Sequence, residues 1–211
     1  KLYLFKKLLN KNSNIITDIT IPEYKKIKKI SLRNKLNLKT IGVGKGDLNI
    51  ITHEYVGEKQ VIKIKYKNNF YYFETNLIGK IQIKNLLMAM IAAEKSNIDF
   101  KNIVNVISKV NPVSGRLEKI GRIRNNSKVI LDYAHTPDAL KTCLQNLKDQ
   151  FKNNKISIVF GCGGDRDKFK RPRMGQIVNQ FCNKIYLTDD NPRNENPKKI
   201  RSHIKRKINQ S

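Results

Sequence analysis

The sequence predicts an α/β fold whose second half is a parallel sheet covered by helices. Two observations support this class. From residue 129 onward, short apolar runs alternate with longer amphipathic segments, and each apolar run ends in a glycine-rich or charged loop. Because parallel strands need a long crossover, usually a helix, the order β-α-β-α-β-α favours a parallel sheet.

The individual elements of this second half follow from residue spacing. The predicted strands are residues 129–131, 156–160 and 185–187. Thr136 can cap the helix after the first strand, with Pro137 at its first position. The three helices carry apolar residues three and four positions apart: Leu140, Leu144, Leu147 and Phe151; Met174, Ile177, Val178 and Phe181; Ile200, Ile204 and Ile208.

The first half of the chain has a different pattern. Residues 1–75 predict short strands and turns, with a hairpin turn at 67–69. The glycines of 42–46 lack the spacing of a phosphate-binding loop, so we expect a plain turn there. Two helical faces follow, the first carrying Leu86, Leu87, Met90 and Ile91 and the second Ile103, Val104 and Ile107. Asn111-Pro112 interrupts this pattern, which predicts two domains, 1–111 and 112–211.

The net charge of +26 is the most extreme feature of the composition. Clustered Lys and Arg bind nucleic-acid phosphates without regard to sequence. Here the lysines are spread along the chain beside many Ile and Asn, and all three have A/T-rich codons, so a biased genome accounts for the charge. Aromatic residues and arginines are not interleaved as in a base-stacking surface. We therefore expect no nucleic-acid partner.

Cysteine usage and hydropathy indicate the compartment. Cys143, Cys162 and Cys182 form no C-x-x-C pair and lie far from the three histidines, so a zinc site is not expected. Such sparse cysteines fit buried thiols in a reducing, cytoplasmic environment. No run approaches the roughly 18 apolar residues of a membrane span. The N-terminus resembles no signal peptide and lacks an initiator methionine, so we expect a fragment.

Polar clusters follow all three predicted strands: 132–135, 161–171 and 188–193. The carboxyl ends of parallel strands meet at one edge of a sheet, where ligands bind. We therefore expect these clusters to converge on one ligand site.

The residues in these clusters resemble a known family. Five motifs resemble, in order and spacing, those of the Mur ligases that add the third residue of the peptidoglycan stem peptide. They are Gly115-Arg116-Leu117-Glu118, Asp132-Tyr133-Ala134-His135-Thr136-Pro137-Asp138-Ala139-Leu140, Gly161-Cys162-Gly163-Gly164-Asp165-Arg166-Asp167-Lys168, Lys170-Arg171-Pro172 and Asp190-Asn191-Pro192-Arg193. The resemblance implies a Rossmann-like C-terminal domain, 112–211, preceded by the end of the central α/β ATPase domain, 1–111. Phe169 departs from the family, which usually has glycine there. Residues 79–85 resemble the family's G-x-F-N-V-x-N motif, from which Ile81 and Gln82 depart.

The resemblance also implies the reaction and its participants. ATP, with Mg²⁺, would phosphorylate the D-Glu carboxylate of UDP-MurNAc-L-Ala-D-Glu, and the amine of meso-diaminopimelate would attack the acyl phosphate to form an amide. Arg116 and His135 would contact the phosphates, with Asp132 near the ribose. Lys1 would be the family's carbamylated lysine that helps to hold magnesium. We expect a cytoplasmic monomer without a membrane partner.

Amino-acid recognition is assigned by the same resemblance to Arg166 and to Asp190, Asn191, Pro192 and Arg193. A guanidinium can hold the distal carboxylate of diaminopimelate bidentately. Family members that use L-lysine usually have another residue at position 193.

Three alternatives stay open: an L-lysine-adding ligase, a folylpolyglutamate-synthetase-like ligase and a basic nucleic-acid-binding module. The sequence contains no G-x-x-x-x-G-K-[ST] loop, so the resemblance implies a fragment that is inactive by itself.

Overall fold

The computed structural model of the protein describes residues 2–208. The chain divides into two compact units, one up to Pro112 and one from Val113. This division lies one residue from the boundary expected between 111 and 112. No described helix is both long and apolar enough to cross a membrane.

The first unit contains a five-stranded mixed sheet. Its strands, in spatial order, are β1 (Asn14–Asp18), β2 (Asn37–Val43), β3 (Leu48–Val56), β4 (Lys59–Tyr66) and β5 (Asn69–Thr75). The first two pairings are parallel and the last two antiparallel. The expected hairpin is confirmed: Lys67 and Asn68 form the turn between β4 and β5 with φ of 47° and 65°, the backbone of a two-residue turn with positive φ at both positions. The 42–46 stretch includes the bend between β2 and β3, as expected for a turn.

One helix of the first unit departs from the sequence prediction. Helix α1 (Tyr24–Arg33) lies within the stretch where only strands and turns were expected, and a π-helical turn (Leu4–Leu8) precedes it. The buried face of α1 consists of Ile27, Ile30 and Ser31. Its other positions are mostly lysine, and one face residue is a serine, so the apolar stripe is too narrow to recognise by periodicity.

Helices cover the sheet where helical faces were expected. They are α2 (Lys80–Lys95) and α3 (Phe100–Val106), and α3 continues into a 3₁₀ turn (Ile107–Lys109). Leu86, Leu87, Met90 and Ile91 of α2 are buried against the sheet strands in one core. This burial confirms the predicted face.

The second unit carries the predicted alternation of strands and helices. Its elements are β6 (Glu118–Ile123), β7 (Ser127–Leu131), α4 (Pro137–Gln150), β8 (Ser157–Phe160), α5 (Lys170–Phe181), β9 (Lys184–Leu187) and α6 (Pro197–Lys205). Strands β8 and β9 pair in parallel. The α/β class with a Rossmann-like parallel sheet is therefore confirmed.

Strand β7 departs from the expected single sheet. In the described part of the chain, β7 pairs antiparallel with β6 and not with β8. Strand β6 was not predicted. The connection between the two strands is only the 3₁₀ turn Arg124–Asn126, and so short a link brings neighbouring segments together as a hairpin.

The core of the second unit lies between its helices and strands. It is built from the predicted helical faces and the cysteine after β8: Leu140, Leu144, Cys162, Met174, Val178, Ile200 and Ile204. Helix α6 ends at Lys205, so Ile208 packs against the core from beyond the helix rather than within it.

Candidate active site

Asp132 fixes the loop that follows β7 to the loop that precedes β6. Its two carboxylate oxygens accept the backbone N–H groups of Leu117 and Ala134, each at 2.9 Å. The N–H of Tyr133 donates to the carbonyl oxygen of Gly115 at 2.8 Å. Both oxygens of Asp132 therefore have protein donors, so the carboxylate braces the loop in addition to any contact with a ligand.

This bracing brings together Arg116 and His135, two residues singled out from the sequence. The Arg116 guanidinium lies 5.0 Å from the ring centroid of Tyr133. The His135 ring meets the same tyrosine edge-on, with centroids 5.1 Å apart, and its Nδ1 lies 3.2 Å from the Tyr133 carbonyl oxygen. Tyr133 is exposed, so its ring presents a guanidinium and an imidazole together at the surface.

Sequence reasoning assigned no role to Tyr133. One signal was available in the sequence: Tyr133 is an aromatic residue in a polar loop just after a strand. An aromatic side chain in such a loop is not explained by packing in a core.

His135 lies at the start of helix α4, as predicted. Thr136 is the N-cap, and its hydroxyl accepts the N–H of Ala139 at 3.3 Å. The Lys170 ammonium at the start of α5 donates to the His135 carbonyl oxygen at 2.8 Å. Cations and unpaired N–H groups at a helix N-terminus favour an anion. The hydrogen bond from Lys170 to the His135 carbonyl oxygen also links the loops after β7 and β8.

The loops after β8 and β9 are in close contact. Gly164 donates its N–H to the Asn191 carbonyl oxygen at 2.8 Å. A Cβ atom placed on Gly164 would lie 1.7 Å from the carbonyl oxygen of Pro192. Only glycine allows this approach, which accounts for the glycine run after β8. The side chain of Asp165 accepts two hydrogen bonds from Asn194, one from its backbone N–H and one from its side chain.

Arg193 is held across this contact. Its backbone has φ of 48°, and its N–H donates to the Asn191 side chain at 3.2 Å. One terminal nitrogen of its guanidinium, Nη1, donates to the Gly164 carbonyl oxygen at 2.8 Å. The neighbouring Asp190 carboxylate accepts the N–H of Asn191 at 2.7 Å. Across residues 2–208, no carboxylate forms an ion pair with Arg193. Its charge is therefore available to a ligand carboxylate.

The other two positions of the β8 loop that the sequence raised are exposed. Arg166 is exposed, two residues beyond Gly164. Phe169 is 87% exposed, so the loop accommodates a side chain where the family usually has glycine.

The thiols in this unit are structural. Burial, together with the nearby Asp132 carboxylate, raises the pKa of Cys143 to about 12. Burial likewise raises the pKa of Cys182 to about 11. All three cysteines are free. Thiolates are scarce at neutral pH under these conditions, so none of these cysteines fits a nucleophile.

The described residues include no cluster of metal-ligating side chains. Lys1, the metal ligand that the resemblance implies, lies outside them. Within residues 2–208, no group of three or more His, Cys, Asp or Glu side chains is placed to hold a metal ion.

The second unit is an α/β unit with arginine, lysine and histidine side chains in the loops that follow its strands. The family model of the Mur ligase glutamate ligase domain matches residues 115–211. Residues 115–211 therefore belong to the Mur ligase family.

Curated relatives extend the match over almost the whole chain. The UDP-N-acetylmuramoyl-L-alanyl-D-glutamate–2,6-diaminopimelate ligase of Rickettsia montanensis is 41% identical over 206 residues, which are 97% of this chain and 42% of that protein. The ligase of the same name from Rickettsia typhi is 42% identical over 99% of this chain and 42% of its own length. The chain thus spans about two fifths of these relatives.

Solved structures give the same picture. A structure of UDP-N-acetylmuramoyl-L-alanyl-D-glutamate–2,6-diaminopimelate ligase is 30% identical, with a TM-score of 0.62 over 93% of this chain and 41% of that one. Mycobacterium tuberculosis folylpolyglutamate synthase, complexed with ADP and AMPPCP, has a TM-score of 0.74 over 92% of this chain and 43% of its own. Its 17% identity shows a shared fold only.

Proposed function

We propose that this chain is part of an ATP-dependent ligase that joins meso-diaminopimelate to the D-Glu carboxylate of UDP-MurNAc-L-Ala-D-Glu. In this proposal residues 1–111 are the end of the central ATPase domain and 112–211 most of the C-terminal domain. The observation that carries it is the Arg193 guanidinium, which is oriented by the Gly164 carbonyl and has no carboxylate partner among residues 2–208. The diaminopimelate-adding relatives support the choice of amino acid.

The two loop clusters would divide the work of the reaction. ATP, when bound, supplies the phosphoryl group that activates the D-Glu carboxylate. Phosphoryl transfer depends mainly on positioning and on neutralising charge. Arg116 and His135 share the Tyr133 ring and would stabilise phosphate charge, with Asp132 holding their loop and contacting the ribose.

The second cluster would hold the amino acid. Asp190 and Asn191 would orient its reacting end, Pro192 fixes the loop against Gly164, and Arg166 and Arg193 would neutralise its carboxylates. A guanidinium holds a carboxylate with two parallel hydrogen bonds, which an ammonium cannot. Diaminopimelate has a carboxylate at its far end and L-lysine does not, so an oriented arginine provides selectivity between them.

The test is an amide-forming assay with the complete protein that carries this sequence. With UDP-MurNAc-L-Ala-D-Glu, ATP and magnesium, meso-diaminopimelate should give a tripeptide product and stoichiometric ADP. L-lysine and a folate with L-glutamate serve as competing substrates. Preferential turnover of either one would contradict the proposal. We further propose a cytoplasmic monomer, to be checked by light scattering.

A further inference from the structure

A largely buried ion pair lies beneath the loops that carry the proposed amino-acid-binding residues. Arg171, on the first turn of α5, is 0% exposed. Its two terminal nitrogens donate to the two carboxylate oxygens of Glu195 at 2.9 and 2.8 Å. Such a bidentate pair has a fixed geometry as well as opposite charges.

The pair joins three segments of the second unit. Arg171 also donates to the Gly163 carbonyl oxygen at 3.3 Å, and its Nη1 lies 3.3 Å from Nδ1 of His203 on α6. Glu195 also accepts the backbone N–H of Asp165 at 2.7 Å, and Lys168 lies 3.7 Å away. Helix α5, the loop after β8 and the loop after β9 are therefore tied to one point.

Glu195 lies two residues beyond Arg193, and Gly163 lies one residue before the carbonyl group that orients Arg193. The pair thus fixes both ends of the Arg193–Gly164 hydrogen bond. A long arginine side chain loses much rotamer freedom when it is bound, and its placement depends on the groups that hold it.

We propose that the Arg171–Glu195 pair positions Arg193 for the distal carboxylate of the amino-acid substrate. The inference rests on the proposed function and extends it: selectivity depends on a buried pair that touches no substrate, in addition to Arg193 itself. Arg171 and Glu195 are positioning residues and act through the two loops.

A purely structural role makes a different prediction. A pair that only stabilises the fold would, when removed, reduce the amount of active protein and leave KM unchanged. A positioning pair, when removed, raises KM for diaminopimelate and leaves KM for ATP unchanged, because Arg116 and His135 lie in other loops.

Single substitutions combine the two effects, because they leave one charge buried without its partner. Arg171 Nε already has no hydrogen-bond partner in the described part of the chain. Replacing both members of a buried pair by apolar residues of similar size is often neutral or stabilising. The double variant Arg171→Met/Glu195→Leu therefore removes the positioning contacts without leaving a buried charge.

The experiment uses the complete protein and compares four forms: wild type, Glu195→Gln, Arg171→Met/Glu195→Leu and the control Val178→Ala. Val178 is fully buried on the same helix as Arg171, so its truncation destabilises the same unit without touching the pair. We expect the double variant to unfold near the wild-type temperature and to raise KM for diaminopimelate at least about tenfold, the effect of 1.4 kcal/mol. Val178→Ala should lower the unfolding temperature and leave that KM unchanged.

Two further measurements decide how the pair acts. In an Arg193→Ala background, Arg171→Met/Glu195→Leu should raise KM no further, because coupled residues are not additive. Hydrogen exchange at the Gly164 amide, whose acceptor is Asn191 and not the pair, should be faster in the double variant than in wild type.

The proposal is overturned if KM for diaminopimelate stays within twofold of wild type in the double variant, or if the Gly164 amide exchanges at the wild-type rate. It is also overturned if the effects of the pair and of Arg193→Ala are additive. Failure of the proposed function has a different signature, a wild type that does not use diaminopimelate. The exchange rate at Gly164 still decides in that case whether the pair holds the loop.

Discussion

The guanidinium of Arg116 and the ring of Tyr133 are in contact, 5.0 Å from the guanidinium carbon to the ring centroid. The two residues lie on different loops, which Asp132 and the Gly115 carbonyl join. The tyrosine ring thus supports the arginine for which we propose a contact with phosphate.

We expect Tyr133→Leu to lower kcat/KM for ATP about fivefold, because a cation–π contact at an exposed site contributes up to about 1 kcal/mol. Tyr133→Phe keeps the ring and serves as the control, with activity within about twofold of wild type. Steady-state kinetics at varied ATP measure both. Equal losses in the two variants would assign the effect to the hydroxyl instead of the ring face.

Arg193→Ala should lower kcat/KM for diaminopimelate by roughly 30-fold to several thousandfold, because a charge-assisted bidentate pair lost from a closed site costs about 2–5 kcal/mol. KM for ATP should not change. Arg193→Lys should restore little activity, since an ammonium cannot form the fork. L-lysine, which lacks the distal carboxylate, should be a poor substrate of wild type and lose little more. A diaminopimelate loss below about threefold would remove Arg193 as the selector.

Gly164→Ala should destabilise the second unit by about 1–3 kcal/mol or more. The added methyl would lie 1.7 Å from a backbone oxygen, that of Pro192, which cannot rotate away. Gly121→Ala is the matched control, since a Cβ there meets nothing within 4 Å, and we expect a change within about 0.5 kcal/mol. Urea unfolding of both variants makes the comparison. Equal stabilities would show that the two loops separate readily.

Acid should destabilise the protein through carboxylates whose pKa is lowered in the folded state. Hydrogen bonds from Arg171 lower the pKa of Glu195 from 4.5 to about 2. Burial opposes ionisation of Asp18, but hydrogen bonds from Lys84 and Thr20 outweigh it and its pKa is also lowered. The unfolded state binds more protons than the folded state in this range. The stability from Glu195 is therefore complete above its unfolded pKa of 4.5 and lost as pH falls towards 2.

Unfolding by urea between pH 7 and pH 2 measures this dependence. Glu195→Gln should flatten the slope between pH 4.5 and 2, the two pKa values of Glu195. The exposed Glu23 provides the control substitution Glu23→Gln, which should leave the slope unchanged. Parallel curves for wild type and Glu195→Gln would contradict the proposed contribution of Glu195.

The second unit was more predictable from sequence than the first. Its helices have wide apolar faces, such as Leu140 and Leu144 on α4, and caps such as Thr136 that mark where they begin. Helix α1 was missed because only Ile27 and Ile30 mark its buried face among lysines. Strand β6 has no buried residue. Its sequence therefore lacks the alternation of buried apolar and exposed polar residues by which a strand is recognised.

Candidate site residues could be predicted from sequence where they belong to a recognisable motif. They could not be predicted where their role depends on a hydrogen-bond partner that is distant in sequence. Arg116 and His135 were singled out from their motifs, and the structure brings both to Tyr133. Glu195 was not singled out, because its partner Arg171 is 24 residues away. The residues next to Glu195 in sequence do not show that its carboxylate accepts hydrogen bonds from a buried guanidinium.

The close approach of Gly164 to Pro192 limits how the proposed amino-acid preference could be engineered. If residues 190–193 alone were replaced by those of another ligase, their backbone would have to fit against a glycine loop that packs closely around the present one. A functional replacement would therefore have to include residues 161–166 together with Arg171 and Glu195, so that the two loops and the ion pair beneath them are exchanged together.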